Sequence, residues 1–569
     1  MIKIKYLIIF FQIIFFTSIL NAQYILKPAF PNLPGFSSPV EIVNAADGSN
    51  RLFVVEQKGK IYTFNDDTAV STKKLFIDLT SIVTQVGGDR GLLGLAFHPD
   101  YENNRYFYVY YIADSSGTPY GQWSRVARYT ASATNPDTAL NSSQVRLLNV
   151  AQPDYRHKGG KMEFGTDGYL YISLGDGGRE NDPDNYAQSK NVLLGKILRI
   201  NVDSSSGGKN YSIPPSNPFF GNPFGYREEI FAYGLRNMWK FSIDPLTGRI
   251  FGADVGQYAF EEINLIENGK NYGWNKMEGF HCFPDTNNCD TTGRGFTRPL
   301  LELRRDVAVS AIGGYVYRGN IFPELYGKYI FSDWYYGKVW AMDYNPSGPS
   351  SYVQLLDSNI FLPSLGKNEL NELYFCGFGS SNIPLYKMYN PNTITLNLKV
   401  ILEGHYNDIT NTLKVRDSVD VFLYSVSFPN DVLDSARTVL DSLNFSGLCF
   451  FRNAPSGVYY IVVKFKTGLE TWSKANGESF QTGESYSYDF TNEITNAYGN
   501  NLKLKGSQLC IISGDCNNSG VINASDRALV VGQLGSSGQL AGDLDGNGVV
   551  NAIDRAIVVS NLGRNTIKP

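Results

Sequence analysis

Charge is scarce in this chain: Asp, Glu, Lys and Arg make up 18% of its 569 residues, and the formal net charge is −4. Without a long Lys/Arg cluster there is no electrostatic footprint for nucleic acid, and that class of partner is excluded. Cysteine is sparse as well. The six cysteines, Cys282, Cys289, Cys376, Cys449, Cys510 and Cys516, form none of the close Cys-x-x-Cys pairs that mark zinc or redox sites. A disulfide reading fits better: Cys282 with Cys289 and Cys510 with Cys516 could each close a short loop in an oxidising compartment, with connectivity left open. Cys376 and Cys449 read as buried thiols. A long hydrophobic run occurs once, from Tyr6 to Leu20, behind Lys3 and Lys5 and ahead of Asn21-Ala22-Gln23. It is shorter than the roughly 18 to 20 residues that span a bilayer, and Gln12 interrupts it. The stretch reads as a signal peptide over residues 1–22, with an uncleaved anchor as the alternative. The expected product is soluble and extracytoplasmic: secreted, periplasmic or at the cell surface.

What the chain does contain is turn and strand material. Gly numbers 56, Tyr 37 and Phe 35, a composition suited to sheets and tight turns. At this length two to four domains are expected. Between residues 23 and 390 a short aromatic or β-branched strand and a Gly/Asp/Asn turn recur, beginning at Arg51, Tyr106, Tyr169, Arg249, Tyr329 and Glu372. Intervals of roughly 50 to 80 residues suit a four-stranded sheet each, so the region reads as a six-bladed β-propeller, with a pair of β-sandwiches as the alternative. Residues 391–505 change to longer alternating strands, such as Ile394 to Leu402 and Gly457 to Phe465, which read as a small β-sandwich serving as a spacer or recognition module. His405 there reads as solvent-facing. The expected fold class is all-β with a short α-helical tail.

The tail, residues 510–569, carries two loops, Asp515 to Asp526 and Asp543 to Asp554. Each places oxygen-bearing side chains at positions 1, 3, 5, 9 and 12 and a glycine at position 6. Calcium takes six to eight hard oxygen ligands, and the glycine permits the turn that gathers them. The expected ligands are Asp515, Asn517, Ser519, the Val521 carbonyl and Asp526, and Asp543, Asp545, Asn547, the Val549 carbonyl and Asp554. An amphipathic helix follows each loop, from Arg527 and from Arg555, while the entering helix of an EF-hand is missing and position 12 is Asp. This duplicated pattern resembles a dockerin, the calcium-dependent module that binds cohesin domains on scaffold or cell-surface proteins. In dockerins partner choice is read at positions 10 and 11, here Ala524-Ser525 and Ala552-Ile553; because the two pairs differ, a symmetric binding mode is not expected.

Of four histidines, His157 alone sits in a Gly-rich, charged turn, Tyr155-Arg-His-Lys-Gly-Gly. Histidine can take a proton near neutral pH, and neighbouring glycines let a flat ligand approach the backbone. Alone, such a residue is more often structural. The chain also contains Gly88-Asp-Arg-Gly-Leu-Leu-Gly-Leu-Ala-Phe-His-Pro-Asp, Tyr233-Gly-Leu-Arg-Asn, Ala253-Asp-Val-Gly-Gln, Asn271-Tyr-Gly-Trp and Gly313-Gly-Tyr-Val-Tyr-Arg-Gly. In this order they resemble the soluble glucose/sorbosone dehydrogenases, six-bladed propellers that bind pyrroloquinoline quinone (PQQ) and calcium. The resemblance implies that His157 is the general base for the sugar's anomeric hydroxyl. It implies that Arg236 and Asn237 hold PQQ, with Arg236 also stabilising negative charge on the quinone oxygens. Arg318 and Lys338 would pair with PQQ carboxylates, and the carbonyls of Gly256 and Gln257 would ligate a calcium ion. An aldose would be oxidised at its anomeric carbon to the lactone, with an external acceptor taking the electrons.

The sequence departs from that pattern at Arg156, where the family has an acidic or amide residue. It departs again at Leu303-Arg-Arg-Asp-Val-Ala-Val-Ser, which lacks a histidine, and at Ser364-Leu-Gly-Lys-Asn. The fold also serves non-catalytic binding proteins such as the Hedgehog-interacting proteins, so a propeller that binds carbohydrate or protein without redox chemistry is the alternative. A calcium-dependent hydrolase would need converging metal ligands at the propeller axis, which the sequence does not identify. His98 reads as a local hydrogen-bonding residue, and His281 as exposed or lining a substrate entrance.

Overall fold

Short strands rich in aromatic and β-branched residues need both faces covered, and the chain covers them by stacking sheet against sheet. The computed structural model describes residues 24–569 except 85, 115–119, 286–294, 348–349 and 417, so the expected signal peptide and Cys289 lie outside the described residues. The chain divides into two compact units, Met1–Met388 and Tyr389–Pro569.

The first unit is a six-bladed β-propeller of four-stranded antiparallel sheets. Its inner strands are Pro39–Asn44, Leu92–Phe97, Met162–Phe164, Met238–Ile243, Ala311–Val316 and Ser364–Lys367, each packing beside the next around a closed ring. The sixth blade takes its outermost strand, Ile25–Pro28, from the beginning of the described chain, pairing it with Leu385–Tyr389. Ring closure thus depends on hydrogen bonds between distant segments, among them Ala29 N–H to Leu385 O at 2.8 Å and Phe36 N–H to Ile383 O at 2.8 Å.

Blades are held together by apolar faces. Between the first two, Phe53, Phe76, Phe97 and Phe107 form one cluster, with ring centroids 4.5 Å apart for Phe53 and Phe97 and 4.9 Å for Phe53 and Phe76. Each such ring contributes roughly 1.5–3 kcal/mol by leaving water. The centre of the ring is filled by charge. Glu41 of the first blade is fully buried and accepts from Lys161 Nζ at 3.0 Å and from Lys240 Nζ, bringing together residues of three blades.

In the second unit, Ile394–Lys399 pairs with Ser446–Phe451 and Ser485–Asp489 in one sheet, and Ser418–Ser425 pairs with Val432–Val439 and Gly457–Lys464 in the other. Leu396, Val421, Cys449 and Ile461 lie in the core between them. Two helices, Ala524–Gly532 and Ala552–Ser560, follow the two acidic loops. No helix enters the first loop; Ile511 and Ser513 instead bridge to Leu402 and Gly468, which ties the loop to the sandwich. Among the described residues no helix is long and apolar enough to cross a membrane.

Two expectations are corrected here. Cys510 and Cys516 are free thiols, not a bridge. Cys510 packs in the sandwich core and Cys516 in the separate core under the two helices, and the thiols hydrogen-bond to Gln508 O and Gly514 O. His405 is buried, not solvent-facing, because it lies against Gly546 of the second acidic loop. Cys282 is disulfide-bonded, and Cys376 and Cys449 are buried free thiols.

Candidate active site

In an antiparallel four-stranded blade, the turn entering the inner strand and the turn between the second and third strands emerge at the same end. His157 precedes the inner strand of the third blade, and Arg236 and Asn237 that of the fourth. Gly256 and Gln257 join the second and third strands of the fourth blade, and Lys338 opens the third strand of the fifth. The fold therefore carries these residues to one rim. Arg318 is not among them. It follows the inner strand of the fifth blade and lies at the other end, where its guanidinium makes 2.9 and 2.7 Å bonds to Asp244. Asp244 stands one six-residue strand away from Asn237, roughly 20 Å at the rise of a β-strand. A PQQ carboxylate at the His157 rim is out of its reach.

His157 adopts a left-handed backbone conformation, φ 52°, which costs a β-carbon-bearing residue energy unless neighbours enforce it. Its N–H donates to Asp89 Oδ2 at 2.7 Å, and the turn Gly175-Asp-Gly-Gly passes so close that a Cβ on Gly175 would lie 2.3 Å from the His157 carbonyl oxygen. That turn delivers Asp176, whose Oδ1 is 2.7 Å from His157 Nδ1 and whose Oδ2 accepts from Trp274 Nε1 at 2.8 Å. Burial pushes the Asp176 carboxyl up, but His157, Arg236 and the Gly178 N–H outweigh it and hold it below its ordinary value. An ionised Asp176 fixes the Nδ1–H tautomer and leaves Nε2 as the basic nitrogen.

Arg236 is buried, and desolvation lowers its pKa. Its Nε donates to Gln257 Oε1 at 2.9 Å and one terminal nitrogen to Val255 O at 2.8 Å, and the guanidinium lies 5.5 Å from the Trp274 ring. Asn237 holds two turns together: its Oδ1 accepts from Gly159 N–H at 3.1 Å and its Nδ2 donates to Asp89 Oδ2 at 3.4 Å. Lys338 Nζ lies 3.5 Å from Val307 O and 4.7 Å from the Tyr336 ring. Beneath His157, burial lowers Lys158 to about 7 against the pull of Asp89 and Asp154. The set of fixed cations, an aromatic wall and a histidine with a free Nε2 fits a planar anionic ligand such as PQQ.

The expected calcium position at Gly256 and Gln257 does not fit. Arg305 donates to Gly256 O at 2.7 Å, so a cation already occupies the mouth of that carbonyl. Gln257 has only its carbonyl oxygen to offer, since its N–H is held by Glu278 Oε1 at 2.6 Å and its side chain by Arg236, and one carbonyl falls short of the several converging oxygens calcium takes. Sequence reasoning missed Asp89, Asp176, Trp274 and Arg305. The glycines around Asp176 were a usable signal; Arg305 stood in the stretch that departs from the family. His98 does hydrogen-bond locally, to Asp203 at 2.9 Å and from the Asp100 N–H at 3.0 Å. His281 stacks on Phe260, ring centroids 4.2 Å apart, and lies 3.2 Å from Glu302 Oε1.

In the tail, Asp543, Asp545 and Asp554 bring one carboxylate oxygen each within 4.8 Å of one another. Asp543 Oδ1 is buried without a hydrogen-bond partner, an atom that a cation would satisfy. Asp554 and Asp526 anchor their loops by accepting backbone N–H groups, from Leu544 and Asp545 and from Cys516 and Asn517. In the first loop Asp515 accepts from Ser519 and Gly520, while the Ser519 hydroxyl donates to Val521 O. Asn523 and Asn551 each cap the following helix in a capping box. The second loop thus gathers three carboxylates at one point, whereas the first brings Asp515 and Asp526 to its loop without a third.

Comparison with known proteins gives a match to the glucose/sorbosone dehydrogenase family over residues 36–354 and to the dockerin type I domain over residues 513–563. The HIPL2 protein of Arabidopsis thaliana is 35% identical over 380 residues, 57% of this chain and 54% of that protein. The Hedgehog-interacting protein of Mus musculus is 31% identical over 388 residues, covering 63% and 52%. The chain thus spans about half the length of the curated relatives it matches. An aldose sugar dehydrogenase from Streptomyces coelicolor, solved in its PQQ-bound form, superposes with a TM-score of 0.50 at 21% identity over 65% of this chain and 99% of that one, which supports the propeller fold. The chain belongs to the glucose/sorbosone dehydrogenase family and carries a dockerin type I domain at its carboxy-terminal end.

Proposed function

We propose that the protein is an extracytoplasmic PQQ-dependent aldose dehydrogenase, held by its dockerin domain to a cohesin-type partner. The observation that carries the reading is the His157–Asp176 pair beside Arg236: a base with its tautomer fixed, next to a buried cation. His157 Nε2 would take the proton of the anomeric hydroxyl while Asp176 stabilises the imidazolium that results. PQQ, when bound, supplies the two-electron acceptor for the anomeric hydrogen and its electron pair. Arg236 would hold the acceptor's oxygens and stabilise negative charge developing there. Asn237 keeps the His157 and Asp89 turns in register, and Lys338 offers a further cation to a carboxylate. Calcium would order the two tail loops, through Asp515, Asn517, Ser519, Val521 and Asp526 and through Asp543, Asp545, Asn547, Val549 and Asp554.

The test is reconstitution of the purified protein with PQQ, followed by an aldose panel with an artificial electron acceptor. His157→Ala is expected to lose turnover while keeping most PQQ affinity; loss of binding instead would reassign the base. The Hedgehog-interacting relative favours one other reading, a propeller that binds a partner without turnover. Absence of PQQ binding would select it.

A further inference from the structure

The rim holds a second arginine that the chemistry above does not use. Arg305 lies between the last strand of the fourth blade and the inner strand of the fifth, and two hydrogen bonds and one ion pair hold its guanidinium. One terminal nitrogen donates to Gly256 O at 2.7 Å, and the other reaches Val309 O and lies 3.0 Å from Glu261 Oε1. Val309 and Glu261 are themselves held in place. Asp333 Oδ1 accepts the Val309 N–H at 2.7 Å and the Ser310 N–H at 2.8 Å. Glu261 is fully buried, and its Oε2 accepts the Ala311 N–H at 2.8 Å. Burial raises the Glu261 carboxyl to about 8, with Arg305 the strongest opposing influence.

A guanidinium stays charged at any pH a protein survives. Calcium approaches a carbonyl oxygen to about 2.3–2.6 Å and needs several such oxygens converging. Here the Gly256 oxygen already faces a fixed cation; Glu261 is ion-paired to that same cation, and the neighbouring Glu278 Oε1 is taken by the N–H groups of Gln257, Tyr258 and Ala259. A calcium ion would have to displace Arg305 from Gly256 O and would then lie beside Arg236, whose pKa Arg305 already lowers by proximity.

We propose that Arg305 stands in this rim in place of a metal ion, so that the propeller takes an anionic quinone through Arg236 and Arg305 and without calcium. The proposal rests on the dehydrogenase reading and assigns Arg305 as a cofactor-binding residue. Its Nε–H and the second hydrogen of the nitrogen bonded to Gly256 O are the donors left for quinone or carboxylate oxygens, a two-point contact that a monodentate ammonium cannot match. Calcium then serves the tail alone.

The experiment is a PQQ titration of the full chain, followed by absorbance and by tryptophan quenching, in excess EGTA and in excess calcium. The expected dissociation constants agree within about twofold, and Arg305→Ala weakens binding by on the order of tenfold or more, the scale of one lost charge-assisted hydrogen bond. Arg305→Lys, which keeps the charge and loses the fork, is expected between the two. Calorimetric titration of the PQQ-loaded protein is expected to find calcium sites that all disappear in the double variant Asp515→Asn, Asp543→Asn. PQQ binding that requires calcium in the unaltered protein, or a PQQ-dependent calcium site surviving in that double variant, would overturn the proposal and leave the dehydrogenase reading standing. No PQQ binding in either buffer would overturn both. The wild-type comparison decides the matter even if an Arg305 variant fails to fold.

Discussion

At the scale of single residues, the site is a histidine whose Nδ1 is held by a buried carboxylate, which leaves Nε2 to take a proton. Asp176 has no substrate to touch; it acts by fixing His157, so Asp176→Asn is expected to lower kcat by on the order of 10²–10⁴ while leaving PQQ affinity within a few-fold. The pH profile separates this from a structural defect: the kcat ionisation moves when the tautomer partner changes, whereas misfolding lowers the whole profile. Glu262 offers a stability test independent of any ligand. Burial, reinforced by Asp254, raises its carboxyl from 4.5 to about 8. Between those values the folded protein keeps a proton that the unfolded chain has released, so this group's contribution to stability falls as pH rises through the window. Glu262→Gln is therefore expected to gain in Tm relative to the parent as pH goes from 5 to 8, with the gain levelling above 8; a pH-independent difference would contradict the burial assignment.

At the scale of elements, legibility followed local pattern. The strands quoted from Arg51, Tyr106, Tyr169, Arg249, Tyr329 and Glu372 correspond to the second strands of the six blades, Arg51–Glu56, Tyr106–Asp114, Leu170–Leu174, Ile250–Asp254, Tyr329–Asp333 and Leu373–Cys376. These strands are covered on both faces by their neighbours, so they read as continuous aromatic and aliphatic runs. Inner strands such as Met162–Phe164 and Ser364–Lys367 are too short to show a period. The resemblance that suggested Arg318 could not say which end of a six-residue strand it would occupy, and the strand took it to the rim opposite His157. Asp176 escaped because its partner lies 19 positions away across a turn.

The tail loops were legible because the dockerin pattern imposes a local spacing of oxygen-bearing residues. What spacing could not give is the sandwich's grip on them: Gly546 has φ 71°, and a Cβ there would lie 2.7 Å from Val415 Cγ2 and 3.1 Å from His405 Nε2. Gly546→Ala is accordingly expected to destabilise the second unit by about 1–3 kcal/mol, through backbone strain and overpacking together. Calorimetry of the calcium-free protein would show it as a lowered transition of that unit, and an unchanged transition would mean the contact is not made. Since Cys510 and Cys516 sit in different cores, Cys510→Ser is expected to leave non-reducing electrophoretic mobility unchanged.

At the scale of the whole molecule, a ring of blades is followed by a unit that carries the dockerin domain. The ring presents His157 and the cations on one rim because its strands alternate in direction, and the buried Glu41–Lys161–Lys240 cluster fixes three blades about the centre. The docking we propose belongs to the second unit: chelation of calcium is expected to abolish binding to a cohesin-type partner in a pull-down while PQQ binding by the propeller persists. The measurement that tests the account most directly is single-turnover reduction of PQQ by an aldose in the reconstituted full-length protein. The account predicts stoichiometric reduction in the parent and none on the same timescale in His157→Ala despite bound PQQ. PQQ that binds and is not reduced by any aldose, or that does not bind at all, would contradict it.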